Sequence, residues 1–373
     1  MFCRQLSSVM AVMICFQSLS AEDFKPLLLA EGSGADAPKQ PQAFVSEDGN
    51  IDVVYAAGER ILVSSSTDRG VSFGKASGQI ECRNLSAGMR RGPRIVRSGK
   101  HLVVTAIGGQ QGKGRDGDLF AWYSADNGAA WSEPIMVNDA ADSAREGLHA
   151  MTAAPDGTIY CVWLDLRETL TEVYLSKSTD SGSTWSKNIA VYRSPDGSVC
   201  ECCHPSVAAT NDTVAVMFRN SMDGNRDMYV TTSNDHGASF KPAKKLGAGT
   251  WALDACPMDG GMLAIDRKGS IETVWRRDRE IFSVGNAAKG ETLIGRGEQP
   301  WIAATSGGSI VVWTTGREGD LMMQATSARK PVRLAGSVRS PVICSAAGGD
   351  GPKIVCWESS RDGHSSVNAL LVD

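Results

Sequence analysis

Apolar residues in this chain come in short runs with the alternation of β-strands, not in the stripes of amphipathic helices. One kind of run recurs just after a proline or histidine. Pro41-Gln42-Ala43-Phe44-Val45, Pro93-Arg94-Ile95-Val96, His149-Ala150-Met151-Thr152 and Pro205-Ser206-Val207-Ala208 are the first four copies. Pro257-Met258-Asp259-Gly260, Pro300-Trp301-Ile302-Ala303 and Pro341-Val342-Ile343-Cys344 continue the series. A polar turn with Gly or Asn follows each, and then a second strand that ends near an aromatic: Tyr55, Trp163, Phe218, Trp275, Trp313 and Trp357. In the second unit residues 103–107 fill that slot without an aromatic. Seven such starts predict seven sheets of one repeat architecture.

A second pattern sits on the turns. Ser178-Thr179-Asp180-Ser181-Gly182-Ser183-Thr184-Trp185 reads as a tight turn in which Asp accepts backbone N–H groups and Gly supplies a positive φ. The same octet recurs at Ser66-Thr67-Asp68-Arg69-Gly70-Val71-Ser72-Phe73, at Ser124-Ala125-Asp126-Asn127-Gly128-Ala129-Ala130-Trp131 and at Ser233-Asn234-Asp235-His236-Gly237-Ala238-Ser239-Phe240. Asp68, Asp126, Asp180 and Asp235 lie 54 to 58 residues apart, and Asp118, Glu172 and Asp227 each stand eight residues before their turn aspartate. In the fifth to seventh units the octet is lost, and Ala328 stands where one such Asp would fall.

S-x-D-x-G-x-[ST]-[WF] at this spacing resembles the Asp box, or BNR repeat, of the sialidase-like β-propellers. The resemblance implies an all-β propeller with the boxes on the face away from the active site, so the motif speaks for architecture and function has to be sought elsewhere. Seven blades are expected from the starts, with the six of the family's sialidases as the alternative. The last unit holds only three strands, so the leading Phe24-Lys25-Pro26-Leu27-Leu28-Leu29-Ala30 is expected to add the fourth and close the ring. The sialidase catalytic set does not carry over. Gln42-Ala43-Phe44-Val45 stands where the family has Arg-Ile-Pro, and no tyrosine follows Tyr229 to serve as nucleophile.

Composition changes this picture in three ways. The net charge of −4 speaks against a nucleic-acid surface or a polybasic membrane patch. Arg4, the apolar residues 6–19 and the small Ser18, Ser20 and Ala21 read as a signal peptide over residues 1–21, leaving residues 22–373 as one propeller domain, periplasmic or secreted, with no membrane span. Once Cys3 and Cys15 leave with that segment, eight cysteines remain, and an even number in an oxidising compartment favours disulfides.

Candidate chemistry gathers on the loops that lead into the first strands and those that join the second to the third. Arg167, Arg279, Arg317 and Arg361 each follow a strand-end aromatic by four residues, a repetition that suits bracing between blades. Arg219, Arg276 and Arg277 depart from the repeat, and with Arg167 they suit bidentate binding of a carboxylate on a sialic or uronic acid. Asp165, two residues after Trp163, is the acid/base candidate and His149 a second proton carrier. The function expected is recognition of an acidic glycan or glycoconjugate, with hydrolysis if the protein is an enzyme. A non-catalytic binding propeller is the alternative.

Cys200-Glu201-Cys202-Cys203-His204 faces Cys256-Pro257-Met258 one unit later. A disulfide from Cys202 or Cys203 to Cys256 is the favoured reading. The other is a soft-metal site of Cys200, Cys202, Cys203, His204 and Cys256, with copper before zinc as occupant and Met258 as a further ligand. Cys344 and Cys356 are either paired or simply buried, and Cys82 and Cys161 have no evident partner.

Overall fold

The computed structural model describes residues 25–75, 78–266, 268–285 and 290–372, so the signal-peptide reading lies outside the described residues. The fold is a β-propeller, with a single 3-10 turn at Gly34–Asp36 as its only helical element among the described residues. Strand pairing gives five four-stranded antiparallel sheets and one seven-stranded sheet. In the larger sheet the 14-residue strand Val332–Ser345 pairs with Gly319–Ala325 through its first half and with Lys353–Arg361 through its second.

The first strand of each unit is innermost. Pro38–Val45 packs on Arg94–Ser98, then His149–Ala153, Ser206–Ala209, Met262–Ile265, Glu298–Thr305 and Val332–Ser345 follow in turn, and the last returns to Pro38–Val45. Residues of all these strands line one axial cavity of about 210 Å³. Leu27–Ser33 pairs antiparallel with His364–Val372, which joins the two ends of the chain as the leading residues predicted.

Each box closes in the manner its residues dictate. The Ser178 hydroxyl donates to Asp180 Oδ1 at 2.8 Å and accepts the Gly182 N–H at 2.9 Å. The Thr184 N–H and hydroxyl donate to the two Asp180 oxygens at 2.9 and 2.6 Å. Ser181 and Gly182 both have positive φ, at 57° and 87°. A Cβ on Gly182 would lie 2.8 Å from Val103 of the preceding sheet, so this glycine serves both the turn and the contact between blades.

These bonds hold the box carboxylates below their usual range. Ser72, by its hydroxyl and then its N–H, lowers Asp68 to about 2, and Ser233 and Ser239 lower Asp235 further. A depressed folded-state pKa means that the stabilisation is complete above the unfolded value of 3.8 and is lost as pH falls through the folded values. Acid unfolding followed by Trp fluorescence should therefore run between about pH 4 and pH 2. Asp68→Asn and Asp235→Asn should each make the protein less stable at neutral pH and less sensitive to acid; an unchanged acid midpoint in both would count against the boxes as its origin.

A second repeated device shapes the axis. Gln40, Gln299 and Ser340, each followed by proline, have φ of 54°, 56° and 50°. The strand register slips at each of them, between Lys39 and Gln42, Glu298 and Trp301, and Arg339 and Val342. Pro41, Pro300 and Pro341 carry no N–H, so the bulge forfeits no ladder hydrogen bond at that residue.

No disulfide joins the described residues: Cys82, Cys161, Cys200, Cys202, Cys203, Cys256, Cys344 and Cys356 are all free. This departs from the favoured cysteine reading. Cys344 stands opposite Ile354 and Cys356 opposite Val342, so the two thiols lie diagonally across neighbouring strands. Burial pushes the Cys344 thiol up to about 11 and leaves it an inert core group.

Candidate functional site

In a four-stranded antiparallel unit, the loops into the first strand and from second to third strand share one face, opposite the boxes. The structure places all the candidate residues toward that loop face, yet it does not bring them to one open site.

Asp165 is fully buried and fully engaged. Its Oδ2 accepts the Ser143 hydroxyl, the Trp163 indole N–H and Arg167 Nη2 at 2.8–2.9 Å. Its Oδ1 accepts the Arg167 N–H and Nε, both at 2.9 Å. Arg167 also reaches Asp139 at 2.7 Å and lies 4.0 Å over the Tyr174 ring. With every lone pair taken and no exposure, Asp165 is a structural anion and Arg167 its brace, in place of an acid/base and a substrate ligand.

The other arginines are held in the same way. Arg277 forks onto Glu291 at 2.7 and 2.8 Å and stacks on Phe282. Arg276 meets Asp259 at 3.6 Å and Glu298 at 3.2 Å, and donates to the Pro257 carbonyl. Arg219, only 1% exposed, donates to the carbonyls of Arg226, Asp259 and Arg276. His149 is buried against Thr105, and desolvation, reinforced by Arg94, holds its imidazole neutral well below its usual range. A proton carrier at that position would need to charge, and this one does not.

At the axis the bulged residues form a belt that the sequence alone did not reveal. Gln299 N–H donates to Asp259 Oδ2 at 2.7 Å, Ser340 N–H donates to Gln299 Oε1 at 2.9 Å, and Gln40 donates to Ser340 and Glu358. Arg90 crosses from the second sheet to the Pro300 and Pro341 carbonyls, 4.9 Å over the Trp301 ring. His204 stacks on Trp301 with planes 10° apart, accepts the Gly260 N–H at Nδ1 and sets Nε2 against Met262 Sδ at 3.4 Å. These side chains seal the loop-face end of the axis. His204 therefore points inward and is no ligand partner of the neighbouring cysteines.

Cys200, Cys202 and Cys203 do converge, with all three sulfurs within 4.8 Å of one another. Cys200 Sγ lies 3.8 Å from Cys202 Sγ and 3.4 Å from Cys203 Sγ, and accepts Arg226 Nη1 at 3.1 Å. Contact first with Cys202 and then with Cys203 holds the Cys200 thiol far below its ordinary range, whereas Cys202, bonded to Cys200, is pushed up. Cys256 is exposed and stands outside this triad.

An open cavity of the loop face lies elsewhere, at about 470 Å³ between the second unit and its neighbours. Its walls include Ser86, Arg91, Lys113, Asp116, Arg145 and Glu146. Asp116 accepts the N–H groups of Gln110, Gln111 and Gly112 and so curls the loop that carries Lys113. Arg91 Nε donates to the Glu146 carbonyl at 2.7 Å. Gly147, at φ 73°, lets that segment pass close over Ser86, where a Cβ would lie 2.1 Å from the hydroxyl. Burial raises the Glu146 carboxyl, Arg91 and Arg145 oppose this, and the Glu201 carboxylate adds to it. A cleft of about 550 Å³ opens on the box face, but Arg97 there is paired with Asp52 and Asp48 is bonded to Ser46 and Asn50.

Among known proteins, the family model described as a BNR repeat-like domain matches residues 91–265. No curated protein sequence matches the chain. Among solved structures, an α-L-arabinanase of Penicillium chrysogenum complexed with arabinobiose is similar at TM-score 0.55 and 11% identity, over 93% of this chain and 97% of that one. An α-L-arabinofuranosidase of Fusarium graminearum, bound to an iminosugar inhibitor, aligns at 0.53 and 11%, over 94% and 97% of the two chains. A Trypanosoma rangeli sialidase mutant displaying trans-sialidase activity aligns at 0.52 and 14%, over 94% of this chain and 59% of that one. At these identities the likeness is one of fold.

Proposed function

We propose that this chain, whose residues 91–265 match the BNR repeat-like family model, binds an acidic glycan in the loop-face cleft. The observation that carries this reading is the cation set of that cleft. Arg91, Lys113 and Arg145 line it, and no hydrogen bond or ion pair to a side-chain carboxylate ties any of the three among the described residues. The arginines first expected to hold the sugar carboxylate are committed to the protein itself. A guanidinium with no direct ion pair to a protein carboxylate suits the carboxylate of a sialic or uronic acid. The glycoside hydrolases among the structural neighbours support a carbohydrate as the class of ligand.

Glu146 is the residue of that cleft suited to proton transfer, because a carboxyl kept protonated upward of its usual pH can act as a general acid. In this reading the seven-stranded sheet counts as two blades that share the strand Val332–Ser345, giving the ring seven blades. The leader over residues 1–21 would deliver the protein to the periplasm or the exterior.

Calorimetry with sialyl- and uronic-acid-terminated oligosaccharides, against neutral ones of equal length, tests the proposal. Acidic ligands should bind, and Arg145→Ala should weaken them about tenfold to a hundredfold, as expected for a lost charge-assisted hydrogen bond. Equal binding of neutral sugars, or indifference to Arg145→Ala, would remove the acidic-glycan reading. If the protein turns over its ligand, Glu146→Gln should slow it about 10²–10⁴-fold while leaving affinity intact. Binding without turnover identifies a recognition propeller.

A further inference from the structure

Arg219 poses a question of charge that the glycan reading leaves untouched. Its guanidinium is 1% exposed, bonds only to carbonyl oxygens, leaves Nε without a partner and has no carboxylate beside it. Arg226, next to it, bonds to the Leu253 carbonyl and to Cys200 Sγ, again with no carboxylate. Arg226 thus bonds the three-sulfur cluster directly, and Arg219, 5.2 Å over the Trp251 ring, lies within electrostatic reach of Cys200 and Cys203. A buried charge needs a counter-charge nearby.

We infer that Cys200, Cys202 and Cys203 form a three-thiolate site for a cuprous ion. A metal about 2.3 Å from each sulfur sets sulfur–sulfur edges of about 3.8–4.0 Å, and the edges here are 3.4 and 3.8 Å with the third within 4.8 Å. Three thiolates and one Cu(I) carry a net charge of −2, which Arg219 and Arg226 balance. Zn(II) would leave one guanidinium uncompensated, and it prefers a closed fourth ligand that neither the inward-facing His204 nor the outlying Cys256 supplies to this triad. Soft thiolates suit Cu(I) and Zn(II) alike, so the charge balance and the count of three ligands are what favour Cu(I). Cys200 and Cys203 are buried while Cys202 is partly exposed, which gives the ion a way in. Binding exchanges the remaining thiol protons for the metal, with no change of oxidation state.

The backbone builds the site without strain. The Cys200 N–H donates to the Arg219 carbonyl and the Cys203 N–H to the Cys200 carbonyl, so the turn that folds the three sulfurs together is tied to the strand that carries Arg219. Metal-held sulfurs are also withdrawn from disulfide exchange, which would keep the three thiols free in the oxidising compartment proposed above.

The test is a titration of the reduced, metal-free mature chain with Cu(I) under anaerobic conditions, against bicinchoninate as competing chelator. One copper per chain should be retained, with sulfur-only coordination by X-ray absorption and three thiols protected from iodoacetamide. Cys202→Ser, at a partly exposed position, should keep its circular dichroism and lose the copper, and Cys82→Ser should bind as the parent does. Arg226→Gln should weaken binding about tenfold or more, as loss of a hydrogen bond to a ligating atom does. The inference is overturned if the reduced chain holds no copper against the chelator, if Cys202→Ser binds as tightly as the parent, or if zinc is held in preference. None of these readouts depends on a sugar ligand.

Discussion

Asp165→Asn should destabilise the protein by about 3–5 kcal/mol, the cost of breaking a buried ion pair, and nearly as much as Asp165→Ala. The reason lies in the polarity of its partners. All five groups that approach the carboxylate are donors: the Ser143 hydroxyl, the Trp163 indole N–H, and the backbone N–H, Nε and Nη2 of Arg167. An amide would set its own N–H₂ against some of these donors and leave Arg167 without its buried anion. A catalytic aspartate behaves otherwise, since Asn would abolish turnover and leave folding intact. Denaturant melts of the two variants decide the matter. A stability within about 1 kcal/mol of the parent for Asp165→Asn, below the usual penalty for an unpaired buried charge, would return Asp165 to the list of catalytic candidates.

This reversal marks where sequence reasoning reached its limit. The repeat of starts and boxes was readable because each unit solves the same local problem: a tight turn, an inner strand and an aromatic that fills the space between sheets. The pairing of Leu27–Ser33 with the last strand was readable for a similar reason, since a three-stranded final unit leaves an edge to be covered. What an arginine does is not local. Arg277 finds Glu291 14 residues on, while Arg219 finds carbonyls from the next unit, and in sequence both look like arginines at a strand end. Glu146 stands three residues before His149, and a lone Glu in a loop carries no pattern in sequence. Its significance comes from Arg91, 55 residues away, and from the Glu201 carboxylate. In the cysteine cluster, the most unusual stretch by eye, the structure brings Cys200, Cys202 and Cys203 together and leaves His204 and Cys256 apart from them.

The axial belt was illegible because ring closure alone assembles it; Gln40 and Glu358, bonded at 2.7 Å, are 318 residues apart. Its energetic centre is Asp259, whose side chain is 2% exposed. The carboxylate accepts the Gln299 N–H at 2.7 Å and lies 3.9 Å from Arg90 Nε and 3.6 Å from Arg276 Nε. Burial pulls Arg90 down to about 10 and Asp259 is the first of the charges that oppose it. Asp259→Asn keeps an acceptor for Gln299 but strands the buried Arg90 guanidinium, while Arg276 retains Glu298 at 3.2 Å, so a loss of about 3–5 kcal/mol is expected. Arg90→Met should also destabilise, because the Pro300 and Pro341 carbonyls lose their donor. The double variant separates an ion pair from two unrelated defects. If Arg90 and Asp259 act together, the apolar methionine removes a charge that Asn had left uncompensated. Asp259→Asn with Arg90→Met should then be more stable than the sum of the singles predicts, by at least about 1 kcal/mol, within the range of contacting pairs. Strict additivity would mean that the separation of 3.9 Å between Arg90 and Asp259 carries no coupling.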